Sequence, residues 1–110
     1  MEIQFETEKL RRLCTNRLAA TKEFGKAVAE QLGNRVSDLK VAGHVLELPV
    51  GLSAKVEGLK GEIRFINLTE GYELSMIANN QECPIDINGM VNWPGVDRVR
   101  IIKINLGGTQ

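Results

Sequence analysis

What is scarce in this chain narrows its chemistry before any element is assigned. Histidine occurs once, as His44, and the two cysteines, Cys14 and Cys83, lie far apart with no CxxC spacing. A structural zinc site gathers about four soft ligands, so no metal is expected, and two reduced cysteines with at least one buried suit a cytosolic setting. Net charge is missing too, because 14 basic and 14 acidic residues cancel. Proteins that live on nucleic acid usually draw affinity from an excess of Lys and Arg, so any such contact here depends on a local patch. No apolar run approaches the roughly 18 residues of a membrane span. The segment Met1-Glu2-Ile3-Gln4-Phe5-Glu6 has neither the basic flank nor the apolar stretch of a secretion signal. No membrane contact and a cytoplasmic location are the expectation, and no motif calls for a cofactor.

What is present reads as one domain. Hydrophobic residues at 43% and charged residues at 25% are ordinary for a globular protein. No repeat or low-complexity segment divides the chain, so residues 1–106 are expected to form a single domain and 107–110 a flexible tail. Ile3 and Phe5 alternate with polar neighbours, as in a half-buried strand. Thr7 stands at an N-cap position before Glu8, opening a short helix that ends near Cys14. Thr15 or Asn16 can cap a longer second helix, with Ala20, Phe24, Ala27, Val28, Leu32, Val36 and Leu39 on its buried face. Gly25 and Gly33 each weaken it by about 1 kcal/mol relative to alanine, yet the periodicity runs on through both to a stop at Gly43.

His44–Leu48 reads as a connecting turn closed by Pro49. Three short aliphatic segments follow, Ala54–Leu59, Ile63–Leu68 and Tyr72–Ala78, with Gly61 and Thr69-Glu70-Gly71 at the turns of an antiparallel meander. Asn79–Gly95 is a long polar connection, pinned to the domain by Trp93, and Asn88-Gly89 within it is a turn. Val99–Ile104 is the strongest strand signal; its near-continuous apolar run predicts a central strand buried on both faces. The fold class is therefore α+β: an N-terminal strand and two helices packed on one face of a mainly antiparallel four- or five-stranded sheet, the other face partly open.

Taken singly, the candidate residues carry modest signals. Lys60 sits in a turn, where a solvated lysine is common. Tyr72 opens a strand, where packing accounts for it as well as base stacking does. Arg98 and Arg100 fall on one face of the last strand, with Lys103 nearby, as a phosphate-binding stripe, a solvated strand edge or partners for Glu57 and Glu73. His44 fits a surface or capping role, and Glu57, Glu62 and Glu73 fit surface charge.

Several strings in order resemble the RelE/ParE toxin superfamily, nearest its HigB-like branch. They are Phe5-Glu6-Thr7-Glu8-Lys9-Leu10-Arg11-Arg12-Leu13-Cys14, Arg35-Val36-Ser37-Asp38-Leu39-Lys40-Val41-Ala42 and Leu46-Glu47-Leu48-Pro49. Leu59-Lys60-Gly61, Gly71-Tyr72-Glu73-Leu74, Asn79-Asn80, Gly89-Met90-Val91-Asn92-Trp93 and Val99-Arg100-Ile101-Ile102-Lys103-Ile104 complete them. The resemblance implies the toxin of a type II toxin–antitoxin system, held by an antitoxin protein, that cleaves mRNA on the ribosome and so inhibits growth.

That endoribonuclease chemistry needs a base for the 2′-hydroxyl, an acid for the leaving oxygen and cations around the phosphate. The family pattern assigns these to a His and a Lys around the Leu-Lys-Gly turn, an Arg after the strand aromatic, and a C-terminal His or Tyr. Lys60 matches the turn lysine, Glu57 stands in place of the His, and Glu73 stands in place of the Arg. The residues after Ile104 include neither His nor Tyr. If active, RNA contact falls to Lys60, Arg64, Tyr72, Arg98 and Arg100. The alternatives are a catalytically inactive module on the same fold that binds an antitoxin-like or other protein partner, and a ParE-like gyrase inhibitor.

Overall fold

The structure, a computed structural model, describes residues 1–42 and 52–106, with side chains from Val56 onward in the second part. The expected Gly43 stop, the turn with His44 and Pro49, and the tail lie outside the described residues. In chain order the elements are β1 (Glu2–Phe5), α1 (Glu8–Thr15), α2 (Arg17–Phe24), α3 (Lys26–Val41), β2 (Leu52–Glu57), β3 (Ile63–Asn67), β4 (Tyr72–Ala78) and β5 (Arg98–Leu106).

Local chemistry sets the helix starts. The Thr7 hydroxyl accepts the Leu10 N–H at 3.1 Å, and of the two candidate caps for the next helix it is Asn16 that acts, accepting the Ala19 N–H at 3.1 Å. Each bond satisfies one of the orphan donors of a first helical turn. The expected single long helix is a correction. It breaks at Gly25, whose φ of 91° and ψ of 165° are closed to side-chain-bearing residues. The break ends α2 through the Gly25 N–H on the Thr21 carbonyl, and the Gly25 carbonyl starts α3 by accepting the Ala29 N–H. It also resets the helical phase, so that Ala29 is buried and Ala27 is exposed. Gly33 stays helical inside α3.

The sheet is mixed and five-stranded, in the order β1-β5-β4-β3-β2. β1 runs parallel to β5, and the other pairs are antiparallel. β5 is thus interior, but its burial on both faces is a second correction. Val99 and Ile101 are fully buried, Ile102 is half-buried and Lys103 is exposed. A bulge explains the apolar run: Met76 pairs with Ile101 and Ser75 with Lys103, which leaves Ile102 as the extra residue. Beyond it the alternation resumes one residue out of phase, and Ile104 packs against the core.

The helices cover one sheet face. Val28, Leu32, Val36 and Leu39 of α3 share a core with Ile66, Leu74, Met76, Val99 and Ile101. The long connection before β5 carries a tight turn in which the Asp86 carboxylate accepts the Asn88 and Met90 N–H groups. Trp93, at 5% exposure, closes it by donating its indole N–H to the Gly61 carbonyl at 2.9 Å. Among the described residues no helix is long and apolar enough to cross a membrane.

The two glycines should respond oppositely to alanine. Gly25→Ala is expected to destabilise by about 1–3 kcal/mol through backbone strain. Gly33→Ala, where a Cβ meets nothing within 4 Å, should stabilise by about 1 kcal/mol. Urea denaturation of both variants checks the pair; destabilisation by both would mean that Gly33 serves close packing.

Candidate functional site

Strand alternation sorts the side chains of the sheet into two sets. Leu74 and Met76 point into the helices, so Glu73 and Ser75 project from the opposite, open face. The same logic sends Ile63 and Phe65 outward around the buried Ile66. Glu57, in register with Ile63, joins them from β2. Together these residues shape a groove of about 310 Å³ on the open face. Ile63, Phe65 and Ser75 form its floor, and Glu57, Glu73 and Lys103 its rim, with Ile102 and Asn105 completing the β5 side.

Two floor residues stand out. Phe65 is 8% exposed although it lies outside the cluster beneath the helices. Ser75, at 3% exposure, is the one buried polar side chain among the described residues. Sequence reading missed both, because Phe65 and Ile66 are adjacent apolar residues with nothing local to say which faces the helices, and Ser75 looks like a strand surface residue. The signal available was phase: both fall on the off-core positions of strands whose core positions are Ile66, Leu74 and Met76.

Lys60 lies in the β2–β3 turn next to this face, exposed and outside the groove lining. Its N–H donates to the Glu62 carboxylate at 2.9 Å. Hydrogen bonds from the Glu62 and Lys60 backbone N–H groups hold that carboxyl below the usual range. Gly58, with φ of 98°, leaves room for the Glu62 carboxylate, which a Cβ there would strike. The Lys60 carbonyl accepts the Val91 N–H at 2.8 Å, tying this turn to the long connection.

The remaining candidates lie elsewhere. Arg64 pairs in register with Met76 on the helix side, and its guanidinium sits 5.6 Å from the centre of the Trp93 ring. Burial lowers its pKa. Tyr72 packs edge-on against Phe24, ring centres 5.1 Å apart, also on the helix side. Arg98 and Arg100 share the open face but sit at its β1 edge. Arg98 pairs with Glu2 at 2.9 Å, and Arg100 reaches Gln4 at 3.5 Å and Glu6 at 4.0 Å. The structure therefore places Glu57 and Glu73 at opposite ends of one groove, in register with Ile63 and Asn67, and leaves Lys60, Arg64, Tyr72, Arg98 and Arg100 outside it.

Cys14 is buried, and burial pushes its thiol pKa up to about 12, so it stays protonated and unreactive near neutrality. Among the described residues no three His, Cys, Asp or Glu side chains group as metal ligands. The chain matches no family model, and neither a curated protein nor a solved structure shows significant similarity to it.

Trp93→Phe keeps the ring but leaves the Gly61 carbonyl without its buried donor. A loss of about 1–3 kcal/mol is expected by chemical denaturation, with faster amide exchange in the β2–β3 turn. Unchanged stability and exchange would show that the indole does not hold the two loops together.

Proposed function

We propose that this chain is the toxin component of a type II toxin–antitoxin pair, built on a RelE-like scaffold nearest the HigB-like branch. The observation that carries this reading is that Glu57 and Glu73 share the open sheet face, at opposite ends of one groove. These positions, distant in sequence and singled out by the HigB-like strings, line one groove on the open sheet face. The element order adds support: a first strand, helices on one face, an antiparallel meander, and a last strand between the first and the fourth. Leu59-Lys60-Gly61 falls on the β2–β3 turn beside the groove, and Gly71-Tyr72-Glu73-Leu74 opens β4.

In an mRNA interferase of this kind, Glu57 would take the 2′-hydroxyl proton as base and Lys60 would stabilise charge on the phosphate. Ribosome and mRNA would supply the substrate. A second reading is favoured by specific observations: the scaffold persists as a protein-binding module that no longer cleaves RNA. Glu73 sets a carboxylate where a phosphate would need a cation, and Arg98 and Arg100 contact acidic side chains. Leu59 and Ile87 are both 98% exposed, on two loops joined by the Val91 N–H on the Lys60 carbonyl.

Tightly controlled induction of the chain alone, with Lys60→Ala alongside, separates the readings. Growth arrest by the wild type with about 10²-fold weaker RNA cleavage in the variant supports the interferase. Normal growth, with the product of an adjacent small gene co-purifying, supports the binding module. Arrest with inhibited DNA supercoiling and intact mRNA points to gyrase. Normal growth with no partner recovered contradicts all three.

A further inference from the structure

The helix side of the sheet carries a half-buried cation with no counter-charge. Arg64 stands in register with Val56 on β2 and Met76 on β4, so the three side chains share that side. Its guanidinium lies 5.6 Å from the centre of the Trp93 ring, and the indole N–H on the Gly61 carbonyl holds that ring in place. The Nε of Arg64 is buried without a hydrogen-bond partner. Among the described residues no carboxylate and no other acceptor meets the guanidinium. Of its three nitrogens only Nε is sealed in this way, so the terminal pair reaches solvent. The surface beside it is apolar. Val56 and Met90 are 41% and 37% exposed, and they meet at Gly61, within 3.8 Å and 3.3 Å of the place a Cβ would take there. A cation withdrawn from water without a partner is costly to keep.

We infer that Arg64 receives a carboxylate from a protein partner, on an acidic residue flanked by apolar ones. With Trp93 beside it and Nε sealed, the guanidinium offers its terminal nitrogens, and a carboxylate matches that fork with two parallel hydrogen bonds. A partly desolvated cation gains more from such pairing than a solvated one does. The partner's apolar neighbours cover Val56 and Met90, which keeps water from the ion pair. RNA fits this place less well. Phosphates strung along a strand call for several cations together, whereas Arg98 and Arg100 contact Glu2 and Glu6, and the Lys60 charge acts on the neighbouring Glu62 carboxylate. Trp93, at 5% exposure, leaves no ring on which a base could stack. The inference rests on the proposed function only in its second reading, that the partner is a protein.

The test is a titration of the isotope-labelled full chain, followed by NMR of its amide, arginine Nε–H and indole N–H groups. The probes are a blocked Leu-Glu-Leu peptide, its Leu-Gln-Leu counterpart and a short oligouridylate. The acidic peptide should give saturable shifts centred on the Arg64 Nε–H, the Trp93 indole N–H, Val56 and Met90. The glutamine peptide should bind about tenfold more weakly. Arg64→Lys keeps the charge but loses the fork, and should weaken the acidic peptide about fivefold. Arg64→Met removes the charge as well and should abolish its binding. Both variants should retain the wild-type spectrum elsewhere, since among the described residues no hydrogen bond or ion pair depends on this guanidinium. No saturable shift, shifts centred elsewhere, equal binding of the glutamine peptide, unchanged affinity in Arg64→Met, or tighter binding of the oligouridylate at Arg64 would each overturn the inference. A chain blind to the acidic peptide that still co-purifies with the product of an adjacent small gene overturns this inference alone and leaves the proposed function standing.

Discussion

Burial of one stripe of α3 against β4 and β5 is the constraint on which the rest of the molecule depends. Val28, Leu32 and Leu39 are fully buried, and so are Leu74, Met76, Val99 and Ile101 across from them. Each such side chain contributes about 1.5–3 kcal/mol on leaving water. Because Met76 and Ile101 must face this helix, their strand neighbours Ser75, Ile77 and Arg100 must face away. The open face is therefore a consequence of the core rather than an independent feature. The Ile102 bulge serves the same constraint, letting β5 keep Val99, Ile101 and Ile104 on the core side of a twisted strand.

That open face is where function is proposed, and its electrostatics run against the simplest form of the reading. Two unit charges about 4 Å apart interact by several kcal/mol at the effective dielectric of a protein surface, so exchanging a cation for Glu73 is a large change for a phosphate. Among the described residues Arg64, Arg98 and Arg100 do not line the groove. Arg64 is turned toward Trp93, and Arg98 and Arg100 lie at the β1 edge beside Glu2 and Glu6. Among the described residues the charged side chains that line the groove are Glu57, Glu73 and Lys103.

Features governed by near neighbours were legible in the sequence. Thr7 announces its helix because its side chain bonds three residues ahead, and Tyr72–Ala78 is the strand its aliphatic run predicts. The tether at Trp93 was legible too, since a lone tryptophan in a polar loop needs both cover and a hydrogen-bond acceptor. What escaped depends on the tertiary structure. Gly25 breaks the helix although Gly33, the same residue in the same periodic pattern, does not; Gly25 takes a φ of 91° while Gly33 keeps helical geometry. The bulge at Ile102 turns an apparent two-sided strand into a one-sided one, which no windowed pattern reveals. Of the site, Glu57 and Glu73 were found through resemblance, but the floor beneath them, Phe65 and Ser75, emerged only once the phase of each strand was fixed.

The most direct test of the central claim, that the groove stands at the active position of a toxin scaffold with Glu73 in place of a cation, is to restore that cation. Binding of a short single-stranded RNA to Glu73→Arg and to the wild type would be compared from low salt up to about 0.15 M. The account predicts no groove-centred RNA binding by the wild type and a salt-sensitive gain of about tenfold or more in the arginine variant. Wild-type binding as tight as that of the variant, with contacts in the groove, would contradict it.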